Sequence, residues 1–438
     1  MKNETSIPEL EEANPNFTNK TKDFITNNMV TIMFVVMGLV GFIISGMRPA
    51  MFLMDIVSRM SRNAFLVLSL VIPVVAGMGL NFSIVLGAMA GQTALIFVTH
   101  WGVTGLPGIL LCLIFVTPLA MFLGFLTGKL FNRTKGQEMI GGLILGFFAQ
   151  GIYELIFLQL VGGIIPMNNE TLVMSSGVGI RTTVDLTNGL KYGLDWPGLA
   201  FDMPNLLRPT LPYTFIAFFS VGIIALLVYK FVLKKENISI TKIISFVIVG
   251  LIVIGWSINI IGKTSMINMI RVPVLTWIVI LLLCAFILFF KKTKIGQDMR
   301  SVGQDRHVAA SSGINVDRTR IIALMMSMVM AAWGHIIFLQ NLGAFSTYGS
   351  HEQIGLYSVA ALLIGGATVT NASIGHALLG VFLFHSLFIV SPSAGRTLFG
   401  NAQVGEYFRV FVAYGVIGVS LAMHAWKKLL QSKNKLEG

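Results

Sequence analysis

Glu154, in the run FFAQGIYELIFLQL, is the one acid that lies deep in an apolar segment of this chain. An ionisable side chain in lipid is costly, and where it occurs it marks ion or substrate pathways. It can equally be a protonated or hydrogen-bonded group that packs helices, and both readings stand. Gln150, four residues earlier, shares its helical face, and Gln159 is five residues further on. His335, His376 and His385 are spread too widely for a metal-ligand pattern and read as packing histidines ahead of a proton relay. Cys112 and Cys284 sit in separate apolar runs, which implies packing and neither a disulfide nor a metal site. The nearest thing to a phosphate loop, GFLTGKL at 124–130, is one residue short between its glycines and lacks the hydroxyl after the lysine. Nothing here supplies nucleotide chemistry, a cofactor or a metal centre.

Two other stretches could recognise a polar solute. AGMGLNFSIVLGAMAG (76–91) and GGATVTNASIGHALLG (365–380) each carry Asn-x-Ser-Ile just before a small-residue helix, at Asn81/Ser83 and Asn371/Ser373. Short, glycine-interrupted segments in corresponding places of two halves point to a binding or permeation region. Asn81, Ser83, Asn371, Ser373 and Glu154 are therefore the candidate pathway residues. Small residues also let helices pack closely, and both effects apply.

The elements that position these residues are helices in a membrane. With 55% hydrophobic and only 11% charged residues and a mean hydropathy of +0.80, no soluble domain of useful size remains. Apolar runs recur along the whole length, and in lipid such runs are helical. The fold class is all-α: a polytopic membrane protein of two related halves with about ten to twelve transmembrane or broken half-helices. The net charge of +12 gathers in short segments between apolar runs, which is the positive-inside pattern and speaks against a nucleic-acid partner. Lys129, Arg133 and Lys135 mark one cytoplasmic loop, and Lys234, Lys235 and Lys242 another.

The expected organisation is a cytoplasmic tail at 1–28, a first membrane half at 29–165 and an extracytoplasmic loop at 166–212. Intervening spans follow at 213–290, then a cytoplasmic segment at 291–320, a second membrane half at 321–426 and a cytoplasmic tail at 427–438. The acidic start, with Glu4, Glu9, Glu11 and Glu12, lacks the pattern of a signal peptide. Within the first half, 47–63 alternates apolar residues with Arg48, Asp55, Arg59 and Arg62 and reads as a helix lying on the membrane surface. The loop at 166–212 has nearly cancelling charges and, with LDWPGLAF and MPNLLRPTLP in it, reads as a folded cap.

The segment 296–318, GQDMRSVGQDRHVAASSGINVDR, is polar and glycine-punctuated in a chain that is otherwise apolar. Gly303 is placed to end a first helix as a left-handed cap, Asp305 to cap a second that stops at Gly313, and Asp317 to cap the next span. Residues 291–320 hold seven Lys/Arg and three Asp, a cytoplasmic signature. Ala309, Ala310, Ser311 and Ser312 give the second helix a face without bulk, suited to close approach by another protein.

This segment resembles the coupling segment of permease subunits of binding-protein-dependent ATP-binding-cassette importers, in the family that serves ribose and related sugars, nucleosides and branched-chain amino acids. Gly296, Arg300, Gly303, Ala309, Ala310, Gly313 and Ile314 match; Gln297 replaces the usual basic residue and Asp305 the usual asparagine. Downstream, Gly365, Gly366, Gly375 and Gly380 match the family's glycine motif, with Thr370 and Asn371 at its paired glycines. Upstream, AGMGLNFSIVLGA keeps Asn81 and Ser83 but not the family's aspartate. The likeness covers about 64–165 and 290–426; the pair of apolar segments at 213–261 and the long loop exceed the family pattern.

What the resemblance implies is transport without chemistry. Gly296, Arg300, Gly303, Asp305, Ala309, Ala310 and Gly313 would couple the chain to a cytoplasmic ATP-binding cassette ATPase. A second permease, identical or not, would complete the pathway, and an extracytoplasmic substrate-binding protein would deliver the solute. The setting would be the lipid bilayer of a bacterial inner membrane, with both termini cytoplasmic. With no charged cluster in the presumed path, the expected solute is an uncharged sugar or nucleoside, with a branched-chain amino acid as the alternative. The competing class is an ion-coupled secondary transporter using Glu154 and the histidines; a receptor or structural membrane protein is a third.

Overall fold

A computed structural model describes residues 28–195, 207–227, 240–263 and 265–434. The acidic residues of the N-terminal tail, residues 196–206 across LDWPGLAF and MPNLLRPTLP, and Lys234 and Lys235 lie outside the described residues. The fold is all-α. Helix α1 (Met29–Ser45) ends at Gly46 in the left-handed conformation, and α2 (Pro49–Leu68) begins with proline in its first turn, where the missing N–H is no loss. Next are the single turn α3 (Val71–Val75), α4 (Ile84–His100), α5 (Gly105–Arg133) and α6 (Glu138–Leu155), the last extended by a π-helical turn. Helices α7 (Leu211–Leu227) and α8 (Ile240–Ile260) form a hairpin packed chiefly on itself. Helix α9 (Val274–Phe290) bends by 76° into α10 (Lys294–Gln304), followed by α11 (Arg306–Ser311). Then come α12 (Val316–Leu342), α13 (Ile354–Ile364), α14 (Ile374–Phe399) and α15 (Ala402–Asn434). Among the described residues six helical stretches are long and apolar enough to cross a membrane, seven if the bent pair counts as one, with four shorter apolar helices besides.

Helix α12 is the axis of the bundle, and glycines bring its neighbours onto it. A Cβ at Gly87 or Gly91 of α4 would lie 2.7 or 2.6 Å from the carbonyl oxygens of Met328 and Ala332. At Gly124 of α5 it would lie 2.6 Å from Cα of Met325. Backbone therefore meets backbone, which is how helices associate in lipid, where apolar burial alone gives no preference for protein over tails. The second cluster gathers α1, α2, α13 and α15 around α14.

Two expectations change. Residues 47–63 do not form a separate surface helix: α2 continues through Asn63 into a stretch, Ala64 to Leu68, buried on every side, and with α3 it counts as a candidate span. Its charged face turns into the protein. The cap of α12 is Asn315, whose side chain accepts from the N–H of Arg318 at 3.0 Å, because Asp317 already lies inside the first turn.

Residues 166–195 are folded. Strand β1 (Thr183–Asp185) pairs antiparallel with β2 (Ala344–Ser346), and Met167, Leu172, Ile180, Val184 and Leu190 are buried beneath this ribbon. The Asp195 carboxylate accepts from the backbone N–H (3.0 Å) and hydroxyl (2.7 Å) of Thr276 at the start of α9, and burial pushes its pKa up.

Replacing Gly91 by valine should wedge α4 from α12 and cost about 1–3 kcal/mol. The thermal midpoint of the detergent-solubilised chain should fall, whereas Gly151→Val, with open space at its Cβ, should leave it nearly unchanged. Equal midpoints for the two variants would mean the close approach does not hold α12.

Candidate functional site

The polar segment between α9 and α12 is built where the chain leaves the apolar layer. Thr293 caps α10, its hydroxyl accepting from the N–H of Gly296 at 3.2 Å. The bend needs glycine there, since a Cβ on Gly296 would lie 2.1 Å from the Phe290 carbonyl oxygen. Gly303 is not the left-handed cap expected of it. It stays within α10, and its bare Cα lets the helix touch the end of α3, where a Cβ would fall 2.1 Å from the Val75 carbonyl oxygen.

Asp305 does cap α11, accepting from the N–H groups of His307 (2.7 Å) and Val308 (3.1 Å). Those of Val308 and then His307 hold its carboxyl below the usual range. Gly313 is left-handed, at φ +82°, as its place after the helix predicts. The expected bare face divides: Ala309 is 3% exposed and packs inward, while Ala310, Ser311 and Ser312 are open, beside Val308 at 63%.

Three charges that the sequence reading passed over hold α11 in place. The Arg306 guanidinium donates to the carbonyl of Gly77, just past α3, at 2.9 Å and to Glu138 Oε1 at 3.0 Å. The same carboxylate oxygen accepts from Arg320, fully buried in the second turn of α12. Glu138 itself opens α6, where an acid suits the helix dipole, and accepts from the N–H of Gly136 at 2.9 Å. A lone acid at the end of a basic loop was the available signal. Lys135 and Asp317 pair at 3.1 Å, so the 134–137 turn and α10–α11 share one face of the protein.

Both breaks in the spans lie on that face. At the first, Asn81 and Ser83 are buried: the Asn81 carbonyl accepts from the N–H and hydroxyl of Ser83, and its amide reaches the Ser327 hydroxyl of α12 at 3.4 Å. At the second, Ser373 caps α14 by accepting from the N–H of His376 at 3.1 Å, and Asn371 is exposed. A cavity of about 520 Å³ separates Asn371 and Ser373 from Arg300, Gly303 and Gln304 of α10. One short helix thus stands between two breaks nearly three hundred residues apart in sequence, touching the first and bordering this cavity at the second.

The family described as branched-chain amino acid transport system, permease component, matches residues 199–421, about half of the chain. The chain belongs to that permease family. Among curated relatives it is similar to the autoinducer 2 import system permease protein LsrC of Yersinia enterocolitica, 33% identical over 110 residues, 24% of this chain and 30% of the relative. It is also similar to the probable ABC transporter permease protein YphD of Escherichia coli, 29% identical over 161 residues, 36% and 45% of the two chains. The xylose transport system permease protein XylH of Haemophilus influenzae is 32% identical over 117 residues, 26% and 30%. The matched part spans less than half the length of each of these relatives. No solved structure matches.

The permease also carries a groove of about 340 Å³ running along α6 from Phe82 and Gly142, beside the first break, to Gln150 and Glu352 near the ribbon. Glu154 does not line the groove itself but accepts from the amide of Gln150, which does, at 2.6 Å. Behind it a polar chain continues from Gln150 to His351, then to Gln92 Oε1 (3.2 Å from His351 Nδ1) and to His335 (3.4 Å). Burial pushes the His351 imidazole down to about 4, while both of its ring nitrogens face amide oxygens, those of Gln92 and Gln150. Gln92 and His351 were not singled out in the sequence, because nothing local marks two polar residues that meet across 259 positions.

Glu138→Gln should leave Arg320 buried without a counter-charge and cost about 3–5 kcal/mol of stability. The double variant Glu138→Met with Arg320→Met, which buries no charge, should recover most of the thermal midpoint. A single variant as stable as the parent would show that the carboxylate does not hold the triad together.

Proposed function

We propose that this chain is the permease subunit of an ABC importer, forming the transmembrane pathway for a small polar solute and driven by ATP hydrolysis in a separate cytoplasmic ATPase. A second permease, as homo- or heterodimer, completes the pathway, and an extracytoplasmic substrate-binding protein delivers the solute on the ribbon side. The α10–α11 face is then cytoplasmic, with both termini on it, in a bacterial inner membrane. Relatives named for autoinducer 2 and xylose favour a sugar-like or nucleoside solute over a branched-chain amino acid.

The observation that carries this reading is the place of α10–α11: pinned to the protein on one side, bare on the other. Closure of an ATPase pair would press on Val308, Ala310 and Ser311. The load would pass through Arg306 to Gly77 and Glu138, and through Gly303 to Val75, while α10 bears on the break at Asn371 and Ser373. Rigid-body movement of the broken spans would follow, the form alternating access takes. The groove along α6, with Gln150 and Glu352 at one end and the Asn81–Ser83 break at the other, is the proposed solute path, with Glu154 bonded to Gln150 beside it. The polar chain from Glu154 to His335 is what an ion-coupled transporter would use, and that is the alternative reading.

Purified alone, the chain should hydrolyse no ATP. Ala310→Trp, on an open position, should leave membrane abundance normal but cut co-purified ATPase and ATP-driven uptake at least about tenfold, ~1.4 kcal/mol. Gly313→Val should act the same way, since a β-branched residue disfavours positive φ. Ala309→Trp, at a packed position, should instead lower the amount of folded protein. Full uptake by Ala310→Trp would remove α11 as the coupling element.

A further inference from the structure

The charged face of α2 that reads as a surface in the sequence lines a partly open cavity of about 400 Å³, within the range of small-molecule sites of about 300–1,000 Å³. Arg59 and Arg62 of α2 meet Arg409 of α15 and His385 of α14 there, below the loop at Gly349–Gln353 on the ribbon side. Arg59 lies about 15 Å along α2 from its first residue. No carboxylate lines the cavity. Among the described residues neither Arg59 nor Arg62 forms an ion pair; Arg62 Nε donates only to the Ser58 carbonyl, at 3.2 Å. Asp55 faces Arg59 from its own helix without pairing, and Glu406 is paired to Arg409.

Two further atoms await a partner. Nδ1 of His385, 6% exposed, and Nε of Arg409 are buried with no hydrogen-bond partner among the described residues. Three guanidiniums around one cavity repel one another, and intramembrane cations of this kind face water-filled paths and mark what passes through them. An anion would relieve that repulsion and accept their forked donors. Asn63, Gln353, Tyr357 and Ser358 add amides and hydroxyls to the same wall. Gln353 also lines the groove along α6, so the cavity adjoins the proposed path.

We infer that this cavity is a subsite for the anionic group, carboxylate or phosphate, of a polyhydroxylated solute. The inference rests on the permease reading and narrows it: the expectation of an uncharged solute assumed no charged cluster in the path, and α2 supplies one. The same donors could hold an anionic lipid headgroup, and the test separates the two.

The full chain in nanodiscs of phosphatidylcholine alone would be heated with glucuronate or ribose 5-phosphate, and with glucose or ribose at matched ionic strength. The anionic probes should raise the thermal midpoint and bind at least about tenfold tighter than the neutral ones. Arg59→Gln with Arg62→Gln should abolish the difference, while Arg62→Lys should keep part of it; size-exclusion profiles check that each variant is folded. Equal shifts for anionic and neutral probes, or an anionic shift that survives the double variant, would overturn the subsite. So would stabilisation that appears only with phosphatidylglycerol in the disc and is not displaced by the sugars, which would make it a lipid site. No ATPase is needed, so a negative result here leaves the coupling reading standing, and loss of coupling leaves the binding result intact.

Discussion

One carboxylate, that of Glu138, meets guanidiniums from two different helices, and the seat of α10–α11 depends on it. Arg320 is fully buried; its Nη2 reaches Glu138, while its Nε and Nη1 have no partner among the described residues. Taking such a group out of water is expensive, and only a near counter-charge with further hydrogen bonds offsets it. Glu138 is placed for this by its helix: it opens α6, where the dipole favours an anion, and it takes the N–H of Gly136 as well. Arg306, about a third exposed, adds a second cation at the watery edge and ties the carboxylate to α11. The triad has a net positive charge, so it is a register device more than a source of stability. It fixes α6, α11 and α12 relative to one another and, through the Gly77 carbonyl, fixes α3.

Most of the fold was legible because in lipid a long apolar run has one solution. The error at α2 comes from the same physics. A helix with one charged and one apolar face reads identically whether the charged face meets water outside or a polar interior, and only the fully apolar turn from Ala64 to Leu68 tells them apart. Arg59 and Arg62 belong to the second case. The cap was expected over 166–212, of which 166–195 are folded; the pairing of this part with 344–346 was not legible, since the two strands are three residues each and carry no pattern of their own.

At the α10–α11 pair, local chemistry was readable and long-range contact was not. Asp305 and Gly313 are set by their own backbone: a side chain that accepts the first free N–H groups, and a residue that turns left-handed. Gly296 and Gly303 look the same in the sequence but serve a different need, because what they avoid is the carbonyl of Phe290 in one case and of Val75 in the other. Ala309 and Ala310 are likewise neighbours with opposite duties. A helix this short gives each residue its own direction, so one packs inward while the next stays open.

The two breaks that α10 stands between are not held alike. The first is closed: Asn81 satisfies Ser83 and reaches Ser327, Arg306 occupies the Gly77 carbonyl, and Gly303 touches Val75 without intervening side chains. The second is loosely filled: Thr368 and Asn371 bond each other across the turn, Asn371 is exposed, and the cavity of about 520 Å³ lies between it and α10. A packed contact carries displacement, whereas a gap must close before it carries any. Movement of α10 therefore reaches α3 and the start of α4 at once, and reaches α14 only after the cavity is taken up. The similar Asn-x-Ser-Ile sequences conceal this difference, because it resides in what packs against them.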